Sequence, residues 1–159
     1  MVNRKNKGFT LVELLVVVAI IGLLASIVLV SLNTARQKAR DTRRLGDLRQ
    51  VAIALELYYD NNNNAYPTVI GCTTANWTGT MSTALEGGGY MTEVPVDPIN
   101  NATYFYAYSS PTPSTEYVLK ARLEITTNPA LGTDVDGDAL SCTTANTASC
   151  NDPAYCIQP

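Results

Sequence analysis

The chain has 159 residues, of which 46% are hydrophobic, and its formal net charge at pH 7 is −3. It contains no histidine, which excludes the usual general base, Ser-His and Cys-His nucleophile pairs, and most zinc sites. Beyond Arg49 there are eleven carboxylates but only two cations, Lys120 and Arg122. Because such a region repels phosphate backbones, we expect no direct contact between it and nucleic acid.

The first predicted element is an apolar helix over residues 9–32, in which Glu13 is the only charged residue. At about 1.5 Å per residue this helix is about 36 Å long, enough to cross the roughly 30 Å hydrocarbon core of a membrane. A cleaved secretory signal would have a shorter apolar run and a small-x-small cleavage site, whereas this run ends in VSLNTARQ. A plain membrane anchor explains the length, but it gives no role to Glu13, whose burial in lipid costs about 2.5–3.5 kcal/mol.

The segment KGFTLVELLVVVAIIGLLASIV resembles the class III signal of the type IV pilin family, including the pseudopilins of type II secretion. The resemblance implies a leader over residues 1–8, which a prepilin peptidase removes by cutting between Gly8 and Phe9. It also implies N-methylation of the new amino terminus at Phe9 and, in the filament, pairing of Glu13 with the amine of a neighbouring subunit. Many pilins carry a proline where this sequence has Val30, and without a proline nothing forces a kink there.

The helix is predicted to continue over residues 33–60 as the spine of a globular head. Apolar residues at three- and four-residue spacing form one stripe on this part: Leu45, Leu48, Ala52, Leu55 and Tyr59. The following DNNNNAYP ends the helix, because asparagine favours turns and proline cannot continue a helix. The basic stretch RQKARDTRR has two interpretations. It is either a solvated stretch of helix at the membrane surface, with Asp41 and Arg44 at i, i+3 spacing, or a source of cations for lipid phosphates or for the acidic heads of neighbouring subunits.

Residues 61–159 are predicted to form a small head, which gives an α+β, pilin-like fold: one long N-terminal helix packed on a small antiparallel sheet. The segment TVIGCTTANWTGT is predicted as a loop, and residues 82–86 as a short helix that GGG ends. TYFYAYSS and EYVLKARLE are predicted as strands, the second with Leu119 and Ala121 on one buried face and Lys120 and Arg122 exposed. The order YP, VPVDP, YFYAYSS, YVLKARLE resembles the head of the major pseudopilin of type II secretion.

All four cysteines follow the apolar run: Cys72, Cys142, Cys150 and Cys156. Four cysteines allow three pairings. If the head lies outside the cytoplasm, we expect all four to be oxidised in a loop-rich, disulfide-bonded C-terminal region. The close spacing of Cys150 and Cys156 suggests one local bridge, which leaves Cys72 with Cys142.

The stretch GTDVDGDAL places Asp134, Asp136 and Asp138 at alternate positions, and carboxylate oxygens of this kind suit calcium. An EF-hand would need Gly at 139 and Glu at 145, where this sequence has alanine. Pseudopilin heads that resemble this one bind calcium in a loop after the second strand, so the resemblance implies calcium as the candidate ligand of the triplet. The alternative is that the three acids are solvated turn residues.

These features predict a structural filament subunit and not an enzyme. The resemblance implies partners in copies of the chain, related minor pilins, the prepilin peptidase, an inner-membrane assembly platform with its ATPase, and membrane lipid. We expect a single pass through the cytoplasmic membrane with the head outside, followed by a cell-surface or periplasm-spanning filament. A surface pilus, a secretion pseudopilus and a DNA-uptake fibre share this architecture. The alternative is a membrane-anchored extracytoplasmic ligand-binding module. Glu13 and its sequence context argue against this alternative.

Overall fold

The computed structural model describes residues 8–137, 139 and 150–159. The chain divides into two compact units between Gln37 and Lys38. The predicted N-terminal helix is confirmed as α1 (Leu11–Asn61). Among the described residues, α1 is the one helix that is long and apolar enough to cross a membrane.

The part of α1 that belongs to the second unit has one buried face. Its buried residues recur at helical spacing: Asp41, Arg44, Leu48, Val51, Ala54 and Leu55. The predicted apolar stripe is therefore confirmed at Leu48 and Leu55, whereas its other three residues are partly buried at the edge of the core. The helix ends at the asparagine run, where Asn63 and Asn64 both have φ of 56°, a left-handed conformation that asparagine tolerates.

The head contains a four-stranded antiparallel sheet with the strand order β1-β2-β3-β4. The strands are β1 (Val69–Thr73), β2 (Ala107–Ser110), β3 (Val118–Arg122) and β4 (Ala154–Ile157). Strands β2 and β3 confirm the two predicted strands, although β2 begins at Ala107 and not at Thr103. Strand β1 lies in the segment predicted as a loop, and that prediction is wrong there. Gly71, at φ of 86°, and a shift in the register with β2 interrupt the alternation by which a strand is recognised.

The chain between β1 and β2 begins with a helical stretch, where the sequence predicts mostly loop. It consists of α2 (Thr74–Asn76), a π-helical turn (Trp77–Met81) and α3 (Ser82–Gly87). Trp77 is buried, and its indole N–H donates to the backbone oxygen of Pro95 at 2.8 Å, which fixes this stretch against the following loop. The helix predicted over residues 82–86 is confirmed as α3.

Both faces of the sheet are buried, so the prediction of a half-exposed strand is wrong at Lys120, whereas Arg122 at the end of β3 is exposed as predicted. One face packs against α1 and carries large side chains: Tyr106, Tyr108, Tyr117, Leu119, Ala121, Leu123 and Tyr155. The opposite face is covered by a second cluster around the disulfide: Cys72, Ala107, Val118, Ala139, Cys150 and Cys156. Lys120 is 8% exposed and lies on β3, where the alternation predicted an exposed residue. The C-terminal segment that covers this face is distant in the sequence, and for that reason a local pattern does not show it.

Candidate functional site

The N-terminal segment presents apolar side chains outward along its whole length. Phe9 is 83% exposed, and every large apolar side chain described between Leu11 and Leu32 is at least 45% exposed. Gly8 and Phe9, which flank the predicted cleavage position, precede the first turn of α1 and are exposed. The leader residues 1–7 lie outside the described residues. An apolar surface of this extent needs a lipid bilayer or other helices to cover it.

Glu13 forms a capping box with Thr10 at the N-terminus of α1. Its Oε2 accepts hydrogen bonds from the Thr10 backbone N–H at 2.8 Å and from Thr10 Oγ1 at 2.6 Å. The backbone N–H of Glu13 donates in return to Thr10 Oγ1 at 3.2 Å. The Thr-x-x-Glu spacing is the sequence pattern of this motif, and it could have identified Thr10 as the residue that orients Glu13. Oε1 of Glu13 accepts no hydrogen bond from any residue described, so one oxygen stays available to another donor.

A charge cluster lies between α1 and the head, with Asp41, Arg44 and Asp97 buried and Arg40 and Glu124 partly buried. Arg44 donates to Asp97 through Nε at 2.7 Å and through Nη2 at 3.1 Å. Its Nη1 donates to Asp41 and to Glu124, both at 2.8 Å. Arg40 forms a bidentate ion pair with Glu124, in which Nε donates to Oε1 and Nη2 donates to Oε2, both at 2.6 Å.

The burial of this cluster corrects the interpretation of RQKARDTRR as a fully solvated stretch. Asp41 and Arg44 do pair at i, i+3 spacing, but both are 0% exposed. The Asp41 carboxylate also accepts from the backbone N–H groups of Glu124 and Ile125, each at 3.0 Å. Lys38 and Arg43 of the same stretch are exposed, and Arg43 forms a surface ion pair with Asp47 at 3.6 Å.

The cluster lowers the pKa values of two of its carboxyl groups. Burial alone would raise the pKa of Asp97, but hydrogen bonds from Arg44 and from the backbone N–H groups of Ile99 and Asn100 bring it below its ordinary value. The hydrogen bond from Arg40 lowers the pKa of Glu124, with burial opposing it and Arg44 assisting. Both carboxylates are therefore charged near neutral pH.

A second acidic cluster consists of Asp134, Asp136 and Asp152, each of which offers a carboxylate oxygen within 4.8 Å of the other two. The third residue of the predicted triplet, Asp138, lies outside the described residues. Asp152 lies farther along the chain and is not part of the predicted triplet. It lies inside the ring closed by the Cys150–Cys156 disulfide, and the spacing of those two cysteines is the signal that could have drawn attention to it.

The geometry of Asp134 fits a bound cation. Its Oδ2 accepts from the backbone N–H of Cys156 at 2.9 Å. Its Oδ1 is buried and has no hydrogen-bond partner among the described residues, which is costly for a carboxylate unless a cation or another donor is present. Burial raises the pKa of Asp134, the Cys156 N–H opposes this, and the charges of Asp136 and Asp152 add to it. Three oxygen ligands of this kind suit calcium.

The local bridge suggested by cysteine spacing is present, with an S–S distance of 2.07 Å between Cys150 and Cys156. Cys72 is disulfide-bonded as well. Cys142 lies outside the described residues.

Comparisons with known proteins match both the N-terminal segment and the head. The family model for the prokaryotic N-terminal methylation motif matches residues 3–29, which include Glu13. The type II secretion system core protein G of Pseudomonas aeruginosa is 33% identical over 125 residues, covering 76% of this chain and 87% of that protein. The chain belongs to the type IV pilin and type II secretion pseudopilin family. The core protein G of Vibrio cholerae is 35% identical to this pilin-family chain over 111 residues, covering 68% of the chain and 73% of that protein.

The similarity extends to a pilus subunit over a shorter region. The type IV wide pilus major component PilA4 of Thermus thermophilus is 43% identical over 61 residues, 38% of this pilin-family chain and 47% of that protein. No solved structure matches the chain with significance.

Proposed function

We propose that this chain is a structural subunit of a type IV pilus-like filament or of a type II secretion pseudopilus. The observation that carries the proposal is the exposed apolar helix with a single carboxylate, Glu13, at its N-terminus, inside the matched methylation motif. The leader over residues 1–8 is removed between Gly8 and Phe9, and the Phe9 amine is then methylated. The chain crosses the cytoplasmic membrane once, with its head outside the cytoplasm.

The Glu13 carboxylate then favours assembly by pairing with the amine of a neighbouring copy. Within one chain, Thr10 satisfies Oε2, which lowers the cost of holding a carboxylate at the edge of the bilayer. The free Oε1 accepts a hydrogen bond from the methylated Phe9 amine of another subunit. This amine stays cationic after methylation. A charge that is only partly satisfied in the membrane becomes fully paired in the filament, and the pairing sets the axial register of the subunits.

The proposed partners are those of a filament subunit: copies of the chain, related minor pilins, the prepilin peptidase, and an inner-membrane assembly platform with its ATPase. Exposed cations on α1, such as Lys38, are available to lipid phosphates or to acidic heads. A membrane-anchored ligand-binding module would need the same apolar helix, but it gives no role to Glu13 or to the methylation motif. No catalytic role is proposed.

Intact mass of the chain from native membranes tests the processing step. We expect a mass that corresponds to loss of residues 1–8 and addition of one methyl group at Phe9. A retained leader, or a cut near Ala35, would contradict the proposal.

Filament assembly tests the role of Glu13. Glu13→Gln keeps the size of the side chain and its bond to Thr10 but removes the charge, so we expect normal membrane levels, normal cleavage and few or no filaments by electron microscopy. Glu116→Gln, which neutralises an exposed acid on the head, is the matched control and should assemble normally. Wild-type filament abundance in Glu13→Gln would show that the amine-pairing account is wrong.

We also propose that Asp134, Asp136 and Asp152 hold a calcium ion. Calcium bound there would neutralise the repulsion among the three carboxylates and satisfy Asp134 Oδ1. A ligand that binds only the folded state stabilises it by about 2.7 kcal/mol at a hundredfold excess over its dissociation constant. Thermal melting with calcium, with magnesium and with a chelator tests this. We expect calcium to raise the melting temperature, magnesium to do so poorly, and Asp136→Ala to abolish the effect; a melting curve indifferent to the chelator would contradict the proposal.

A further inference from the structure

We propose that the Cys150–Cys156 disulfide controls calcium binding at the acidic cluster, so that the affinity for calcium and the oxidation state of this bridge are coupled. The inference rests on the calcium site proposed above. It concerns which part of the chain makes that site complete, and it follows from where the two cysteines lie relative to the three carboxylates.

Asp152 is positioned by a ring that the disulfide closes. The bridge joins two cysteines separated by six positions in the sequence, and Asp152 lies between them. Closing so short a loop removes most of the conformations that the segment has when it is open. Asp152 is exposed, and within the described residues no side-chain hydrogen bond or ion pair of its own holds it near Asp134 and Asp136. Two backbone hydrogen bonds also hold this segment, from Leu123 N–H to the Pro153 oxygen at 2.9 Å and from Ala154 N–H to the Asn151 oxygen at 3.1 Å, and the disulfide ring adds its own constraint.

Both cysteines of the bridge also form hydrogen bonds with residues 134–137, the segment that carries the other two acids. The backbone N–H of Cys156 donates to Asp134 Oδ2 at 2.9 Å. The oxygen of Cys156 accepts from the backbone N–H of Val135 at 3.1 Å, and the N–H of Cys150 donates to the oxygen of Gly137 at 2.8 Å. The disulfide therefore links Cys150 and Cys156, the two residues whose hydrogen bonds position residues 134–137.

The backbone conformation of Gly137 makes the hydrogen bond with Cys150 possible. Gly137 has φ of 93°, a conformation that is strained for residues with a Cβ atom. This turn brings the Gly137 oxygen to Cys150, directly after the segment that carries Asp134 and Asp136. The ring and the turn therefore present three carboxylates from two distant parts of the sequence to one point.

Reduction of the bridge would remove the part of the constraint on Asp152 that the ring supplies. A dithiol reductant supplies two electrons and two protons, the S–S bond breaks into two thiols, and the reductant closes its own disulfide. The ring then opens, and part of the free energy of calcium binding is used to order Asp152 again. Because coupling between two equilibria is reciprocal, saturating calcium favours the oxidised bridge by the same factor by which oxidation strengthens calcium binding.

Calorimetric titration of the calcium-free full chain in detergent micelles with calcium tests the coupling. The test variant is the double substitution Cys150→Ser and Cys156→Ser, which removes the bridge but no carboxylate. We expect its affinity to be roughly ten- to a hundredfold weaker than that of the oxidised wild type, the range seen when groups that support a metal site are removed. Cys72→Ser with Cys142→Ser is the matched control for loss of the other two cysteines, and it should keep most of the affinity. Asp152→Asn should bind as weakly as the double serine variant at 150 and 156.

A second measurement does not depend on any substitution. The equilibrium between the oxidised and reduced Cys150–Cys156 pair is measured against a series of dithiothreitol ratios, by mass mapping of alkylated peptides, with saturating calcium and with chelator. We expect calcium to shift the ratio toward the disulfide by the same ten- to a hundredfold. Circular dichroism of each sample shows whether the head stays folded.

The outcomes separate the two proposals. If the oxidised wild type and the folded double serine variant bind calcium equally, the coupling is overturned while the calcium site stands. If the oxidised wild type binds no calcium, both proposals are overturned. If the double serine variant unfolds, the reductant series on wild type decides: a ratio of oxidised to reduced pair that calcium leaves unchanged overturns the coupling.

Discussion

At the scale of single residues, Arg44 is part of the protein core, although one interpretation of the sequence places its basic stretch at the membrane surface. Its guanidinium group contacts Asp41, Asp97 and Glu124, and it lies 4.9 Å from the centre of the Tyr104 ring. The three carboxylates come from α1, from the VPVDP segment and from the residues just after β3. Arginine suits this position because its planar fork of donors can serve several carboxylates at once.

Replacing Arg44 with methionine should destabilise the head strongly. The substitution leaves Asp97 buried without its cation, and breaking a buried ion pair from one side costs about 3–5 kcal/mol. Arg43→Met is the matched control, because Arg43 is exposed and its pair with Asp47, at 3.6 Å, is a surface pair worth about 0–1 kcal/mol. Urea unfolding of the full chain, followed by circular dichroism, gives both values. Equal losses in the two variants would show that the buried cluster contributes no more than a surface pair.

At the scale of elements, hydrogen bonds from neighbouring segments cover part of each edge of the sheet. On β1, the Asn76 side-chain amide donates to the backbone oxygens of Ile70 and Gly71. On β4, the N–H of Cys156 bonds to Asp134 and its oxygen accepts from Val135. These contacts occupy backbone groups that would otherwise be open to a strand of another molecule. A filament subunit has to associate through chosen surfaces, so covered edges favour ordered assembly over aggregation.

Asn76→Ala should uncover the edge at β1. Loss of two hydrogen bonds to backbone oxygens should lower the free energy of unfolding by about 1–3 kcal/mol, each bond contributing roughly 0.5–1.5 kcal/mol. Asn61→Ala is the control: its amide donates to the Leu57 oxygen at the exposed end of α1, where water can replace it. Thermal melting compares the stabilities, and light scattering at rising protein concentration reports association through the edge. If Asn76→Ala melts and scatters like Asn61→Ala, the side chain has no protective role.

At the scale of the whole molecule, the sequence predicts the parts of this chain that depend on local patterns. The apolar run and Glu13 identify the N-terminal segment, and the alternation around Leu119 identifies β3. The features that could not be predicted depend on contacts between distant segments. Lys120 is buried because the C-terminal residues cover the second face of the sheet, and Asp152 lies near Asp134 although the two are distant in the sequence. Neither contact leaves a periodic pattern in the sequence.

The buried charge cluster also determines how the head responds to acid. Asp97 and Glu124 have pKa values below their ordinary values of about 3.9 and 4.3, so the unfolded chain binds more protons than the folded chain in this range. Their contribution to stability is fully present above these ordinary values and is lost as pH falls through the lower pKa values of the folded state. We therefore expect the free energy of unfolding to fall steeply with pH below about pH 4.

Asp97→Asn tests this assignment, because the amide oxygen can still accept from the N–H groups of Ile99 and Asn100, which lie 2.8 and 3.2 Å from Asp97 Oδ1. The variant should be less stable than wild type at pH 7, since Arg44 loses a charged partner, but its stability should fall less steeply between about pH 4 and pH 2. Glu116→Gln, an exposed neutralisation on the same head, controls for the change in net charge and should keep the wild-type slope. Urea unfolding at a series of pH values gives the slopes. An acid slope in Asp97→Asn equal to that of wild type would mean that other carboxylates, and not this buried partner of Arg44, account for the loss of stability in acid.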